Sequence, residues 1–166
     1  NIDGFAQVFS GLSYENSFNN NYYGNFGFLI GAAGGGDVNT GGGLVYRPFI
    51  GLGYHLNSQW SISSQIAWTA ALEGKFTAKT ALLNIVYHYK SLSPTSSYGS
   101  SIINLNHTIG KIRWQNYRIR PGIQRYSHYY GSGRKNSKLD NLDVQLVNLK
   151  LDSFINAQLY LTGQAL

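Results

Sequence analysis

The chain contains no cysteine and no methionine, and only 12% of its 166 residues are charged. The absence of cysteine excludes disulfide frameworks, thiolate nucleophiles and cysteine-based zinc sites. The charged fraction is about half of the roughly 25% found in typical soluble domains. Since the hydrophobic fraction is an ordinary 43%, the missing charge is replaced by uncharged polar residues, 20 Gly and 13 Tyr.

Long apolar runs are also missing from the sequence. No segment approaches the roughly 18 apolar residues that a membrane-spanning helix needs, which excludes insertion as a helix. The absence of an initiating methionine predicts a processed or trimmed N-terminus, as in an exported protein whose signal peptide has been removed. At this length we expect one domain, covering residues 1–166.

Hydrophobic periodicity predicts an all-β protein, because apolar residues recur with a period of two and nowhere with a sustained period of 3.6. In the segment 60–72, for example, Trp60, Ile62, Ile66 and Trp68 share one parity, while small polar residues and alanines occupy the other. Eight or nine strands are predicted, at about 7–15, 22–32, 46–56, 60–72, 76–89, 102–112, 114–126, 143–151 and 155–165.

The polar face of these strands favours a barrel. A soluble sandwich commonly places Lys, Glu and Arg on its outer face, whereas the polar parity of the strands at 7–15, 22–32, 60–72 and 155–165 carries Ser, Thr, Gln, Asn, Gly and Ala. Small uncharged side chains suit the crowded interior of a narrow barrel whose apolar face meets lipid. We therefore predict an antiparallel up-and-down β-barrel of about eight strands, with a β-sandwich as the alternative. The predicted lipid-facing residues are Ile62, Ile66, Trp68, Leu159 and Leu161.

Aromatic residues cluster at the ends of the predicted strands. Such residues form girdles at membrane interfaces, where the ring lies in the headgroup layer and its polar atom contacts water. The alternative explanation for these aromatic residues is that tyrosine simply favours strands. The predicted interfacial aromatics are Tyr22, Tyr54, Trp60, Tyr87 and Tyr89.

The segment Gly51-Leu52-Gly53-Tyr54-His55-Leu56-Asn57-Ser58-Gln59-Trp60-Ser61-Ile62 precedes a strand, Glu73-Gly74 and Leu82-Leu83-Asn84-Ile85-Val86-Tyr87-His88-Tyr89. Over residues 41–89 this pattern resembles the strand-turn-strand repeat of small bacterial outer-membrane barrels of the opacity and OmpA-like type. The resemblance implies an outer-membrane location and a role as adhesin, structural anchor or small pore. Such barrels usually end in an aromatic residue, whereas this chain ends in Gln164-Ala165-Leu166, which leaves open that a final strand is missing.

Charge is distributed unevenly along the chain. Residues 1–74 hold one basic and four acidic residues, and residues 75–166 hold twelve basic and three acidic ones. A run without any carboxylate contains Lys111, Arg113, Arg118, Arg120, Arg125, Arg134, Lys135 and Lys138. This run predicts an anionic neighbour, and in an outer membrane that neighbour is lipopolysaccharide. The alternatives are a solvated rim, or a secreted β-protein that binds anionic polysaccharide or nucleic acid.

Residues with catalytic or metal-binding chemistry are sparse. His55, His88, His107 and His128 have no histidine two or four positions away, so we expect no metal site and no cofactor. Ser127 and His128 with Asp140 or Asp143 would be the basis of a lipid-modifying hydrolase, but no nucleophile elbow surrounds them. The sequence thus predicts a non-enzymatic outer-membrane barrel that serves as surface adhesin, structural anchor or assembly component. Envelope or surface proteins are possible partners, and no specific nucleic acid is expected.

Overall fold

The computed structural model describes residues 6–34, 42–74, 76–94, 112–128 and 144–166, with the backbone alone at 92–94, 112–115, 128 and 144. Within these residues the protein is all-β, as predicted, and no helix is long and apolar enough to cross a membrane. The eight strands are β1 (Ala6–Ser17), β2 (Tyr22–Gly34), β3 (Leu44–His55), β4 (Trp60–Ala71), β5 (Thr77–Pro94), β6 (Ile112–His128), β7 (Val144–Phe154) and β8 (Leu159–Ala165).

The strands form one closed barrel in which each strand pairs antiparallel with the next along the chain. Pairing of β1 with β8, from Val8 opposite Ala165 to Tyr14 opposite Leu159, completes the ring. The predicted barrel is therefore confirmed, and the β-sandwich alternative is wrong. The predicted strand at 102–112 lies outside the described residues except for Ile112, the first residue of β6.

The strand registers fix the barrel's dimensions. Paired positions traced once around the barrel return to β6 ten residues further along. The path runs through Arg118, Asp152, Thr162, Gly11, Leu29, Arg47, Thr69, Ala78 and His128. Eight strands with this stagger give a strand tilt of ~42° and a wall radius of ~8 Å. An interior of that width is just large enough for side chains to fill it.

Three hairpin turns at one end of the barrel share one geometry. This turn end is where β1, β3, β5 and β7 finish, and the opposite end is called the far end. Asn19, Asn57 and Asn156 occupy equivalent positions in turns 18–21, 56–59 and 155–158. Each asparagine Oδ1 accepts hydrogen bonds from the backbone N–H groups two and three residues later, at 2.7–2.9 Å. The asparagine thus replaces backbone partners that the tight turn cannot supply.

One hairpin extends beyond the other strands. β5 and β6 remain paired as far as Pro94 opposite Ile112, whereas β4 pairs with β5 only as far as Trp60 opposite Tyr87. The extra residues, at about 3.3 Å each, form a two-stranded ribbon that continues for roughly 20 Å past the turn end.

Candidate functional site: an apolar outer band and a charged interior

Alternation along the strands gives the barrel an apolar outer face. Large hydrophobic side chains at mid-height are strongly exposed, among them Ile50, Ile66, Ile123 and Val147. They occur in adjacent pairs, since Ile50 lies opposite Ile66 and Ile123 lies opposite Val147. Along β3, the apolar stretch spans ~25 Å of barrel height at the strand tilt given above.

The residues predicted to face lipid all point outward. Ile62, Ile66, Trp68 and Leu161 are exposed, and Leu159 is partly exposed. Among the wall side chains that the structure describes, the charged groups on this outer face are Lys79 and Arg125. Both lie toward the far end of the barrel, where Lys79 is opposite Ser127 and Arg125 is opposite Ala81.

The five predicted interfacial aromatics lie together at the turn end. Tyr22, Tyr54 and Trp60 are exposed, while Tyr87 and Tyr89 are partly buried. The rings of Tyr22 and Tyr54 are 4.9 Å apart between centroids, and those of Trp60 and Tyr87 are 4.8 Å apart. These contacts make an aromatic belt at the border of the apolar band.

The predicted basic surface is not one surface. Arg118 and Arg120 are 1% and 0% exposed and point into the barrel, so the expectation of an external anion beside them is wrong. Even-numbered residues of β6 face inward. The carboxylate partners of Arg118 and Arg120 come from other strands, β1 and β7. Arg125 faces outward, and only the backbone of Arg113 is described. The remaining members lie outside the described residues: Lys111, Arg134, Lys135 and Lys138.

Inside the barrel, two arginines share one aspartate. Arg118 Nε donates to Asp152 Oδ2 at 3.1 Å, and Arg120 Nη2 donates to Asp152 Oδ1 at 2.7 Å. Arg118 Nη1 also pairs with Glu15. Thr162 Oγ1 donates to Asp152 Oδ1 at 2.9 Å. The network connects β1, β6, β7 and β8, and therefore bridges the two strands whose pairing closes the barrel.

Arg47 forms a second buried centre, which sequence reasoning missed. Its Nε donates to Thr69 Oγ1 at 2.8 Å, and its Nη1 donates to Gln164 Oε1 at 3.0 Å and to Gln124 Oε1 at 3.4 Å. Its guanidinium carbon lies 4.3 Å from the centroid of the Phe9 ring. Side chains from four other strands, β1, β4, β6 and β8, thus meet at Arg47 and cross the interior at that level.

A hydroxyl bridges two histidines at the turn end. His55 Nδ1 and Ser61 Oγ are 2.8 Å apart, and Ser61 Oγ and His88 Nε2 are 3.0 Å apart. Both imidazoles border an open cleft of about 350 Å³. Below it, Tyr23 packs against His55, and Gly53 allows this approach because a Cβ there would lie 2.0 Å from the tyrosine ring.

This histidine pair was not predicted, because the sequence separates His55 and His88 by 33 residues. Each histidine lies one residue before the end of its predicted strand, 46–56 and 76–89, and this shared position near the turn end is the signal that could have found the pair. Among the described residues, no group of three or more potential His, Cys, Asp or Glu ligands is arranged to hold a metal ion.

No family model, no curated protein and no solved structure matches the chain. The resemblance of residues 41–89 to small outer-membrane barrels stays a prediction. The function is therefore inferred from the apolar outer band and the charged interior themselves.

Proposed function

We propose that the barrel spans a bacterial outer membrane and serves there as a non-enzymatic surface adhesin, structural anchor or assembly component. The apolar band around the outer face is the observation that carries this proposal. A band ~25 Å tall on a barrel of radius ~12 Å, side chains included, covers on the order of 1,900 Å². Soluble monomers rarely expose apolar patches larger than a few hundred Å². Lipid is the solvent that suits such a surface.

The borders of the band support the same proposal. Trp60 and Tyr87 belong to the aromatic belt at the turn end, and the apolar tips Leu56 and Ile155 lie beside it. At the far end, Lys79 and Arg125 are placed to contact lipid phosphates. We therefore propose lipopolysaccharide as the lipid partner at the far end, which faces the cell exterior in this orientation.

The filled interior favours an anchoring or adhesive role over transport. Arg47 connects β3 to Thr69, Gln124 and Gln164 on three other strands, so opposite walls are in contact. Surface recognition would then depend on the connections at the far end, residues 35–43, 72–76 and 129–143. Envelope or surface proteins are the proposed partners of those connections.

Fractionation of the native cell envelope tests the location. We expect the protein in the outer-membrane fraction, resistant to high salt and alkaline carbonate and released by detergent. A monodisperse, β-rich protein in detergent-free buffer would overturn the proposal.

The lack of native cysteine allows a clean test of orientation. A cysteine introduced by Gly42→Cys, at the far end, should react with a membrane-impermeant maleimide in intact cells. A cysteine introduced by Ser58→Cys, at the turn end, should react only after the outer membrane is permeabilised. The reverse pattern would contradict the proposed orientation.

A further inference from the structure

We propose that the barrel interior binds a small inorganic anion, of the chloride class, between β6 and β7. Four inward-facing residues form the site, called here the donor cluster: Arg120, Gln124, Asn148 and Lys150. Each is at most 1% exposed. Arg120 lies directly opposite Lys150, and Gly122 lies directly opposite Asn148, so the four side chains project from two adjacent strands into one region.

Four hydrogen-bond donors of the donor cluster have no partner among the described residues. Arg120 Nε and Nη1, Gln124 Nε2 and Asn148 Nδ2 are buried without a protein acceptor. The unpaired acceptor among these side chains is Asn148 Oδ1. A buried donor without a partner costs about 1–3 kcal/mol, and more when the group is charged. An electron-rich guest would satisfy several of these donors at once.

The charges of the interior point the same way. Among the described residues, the buried cations are Arg47, Arg118, Arg120 and Lys150, and the carboxylates within reach are Asp152 and Glu15. Both carboxylates are engaged by Arg118 and Arg120, so an excess of two positive charges remains when Lys150 is protonated.

The excess charge falls at Lys150 and Arg47. Lys150 Nζ donates to Gln65 Oε1 and lies 5.3 Å from the Phe49 ring centroid, with no described carboxylate bonded to it. Arg120 and Lys150 face one another across the β6–β7 pair. Like charges in this position destabilise the pairing of the two strands. An anion between the two would convert this repulsion into attraction.

The space at the donor cluster limits the size of the guest. Between Arg120 and Gln124, a Cβ at Gly122 would lie 2.5 Å from Asn84 Oδ1, itself a buried acceptor without a partner among the described residues, so little room is left beside this glycine. A monatomic anion is therefore favoured over an organic acid.

The test measures stability of the detergent-solubilised full chain against chloride at constant ionic strength, with sodium gluconate as the replacement salt. For a site half-filled at about 10 mM, raising chloride from 1 to 100 mM should increase the folding equilibrium constant about tenfold. Crystals soaked in bromide should show anomalous density within hydrogen-bonding distance of the donor cluster. Equal stability in chloride and gluconate, with no bromide bound, would overturn the proposal and indicate a neutral Lys150 solvated by water.

Two variants and a control assign the effect to the site. Lys150→Met should abolish the chloride dependence, whereas Lys90→Met, which removes an exposed lysine of the extended hairpin, should retain it. Asn148→Leu keeps every charge and should weaken the chloride dependence several-fold, which provides a test even if the lysine variant does not fold. Full chloride dependence in either cluster variant would contradict the assignment.

Discussion

Substitution of Ile66 by arginine tests whether the outer face contacts lipid. Ile66 lies near the middle of β4, between Ile50 on β3 and Ala81 on β5, and its side chain is 68% exposed. An arginine at the midplane of a bilayer costs a transmembrane barrel about 2–4 kcal/mol, compared with about 0–1 kcal/mol near an interface. If the same position faced water, the change would be within about ±0.5 kcal/mol.

The assay is equilibrium urea unfolding in phosphatidylcholine vesicles, followed by tryptophan fluorescence. Leu72→Arg is the matched control, because Leu72 is also exposed but follows the last residue of β4 at the far end. We expect Ile66→Arg to reduce the free energy of unfolding by about 2 kcal/mol more than the control does. Equal effects of the two substitutions would refute the assignment of mid-height to the bilayer centre.

Two further substitutions test the interior network and the turns. Asp152→Asn should reduce the free energy of unfolding by about 3–5 kcal/mol, because two buried arginines lose their shared charged partner. A loss below about 1 kcal/mol in the urea midpoint analysis would show that the network contributes little. Asn57→Ala should cost about 0.5–1.5 kcal/mol, because two backbone N–H groups in an exposed turn lose their side-chain acceptor to water. Ser58→Ala, in the same turn, should stay within about ±0.5 kcal/mol, and equal losses would contradict the role of the asparagine.

The wall of the barrel could be predicted because each strand carries its own signal. In β4, alternation alone assigned the inward and outward faces, and the structure confirms it for Ile62, Ile66 and Trp68. Closure could also be predicted, because the small uncharged side chains on the polar parity of β2, β4 and β8 suit an enclosed interior better than bulk water. Such a pattern depends on the period of two, which is a local property of the chain.

The interior could not be predicted in the same way. Arg118 and Asp152 are 34 residues apart, and Arg118 and Glu15 are 103 apart, so their contact depends on the stagger of the whole barrel. Parity would have placed both arginines inward, but their clustering in one basic run directed attention to an external anion. Arg47 carried no sequence signal beyond sharing its parity with Val45 and Phe49.

The hydrogen bonds that cross the interior, such as those of Arg47 and Lys150, are possible only at the circumference of an eight-stranded barrel with a stagger of ten residues. Duplication of one hairpin would give a ten-stranded ring, wider by about 4 Å in diameter if the tilt were kept. The reach of Arg47 to Gln164 and of Lys150 to Gln65 is fixed by side-chain length, so neither contact would survive that widening. Water could then fill the interior from one end of the barrel to the other, in place of the side chains that now cross it. The same strand sequences would thus surround a water-filled channel in a ten-stranded barrel and a filled interior in the eight-stranded one.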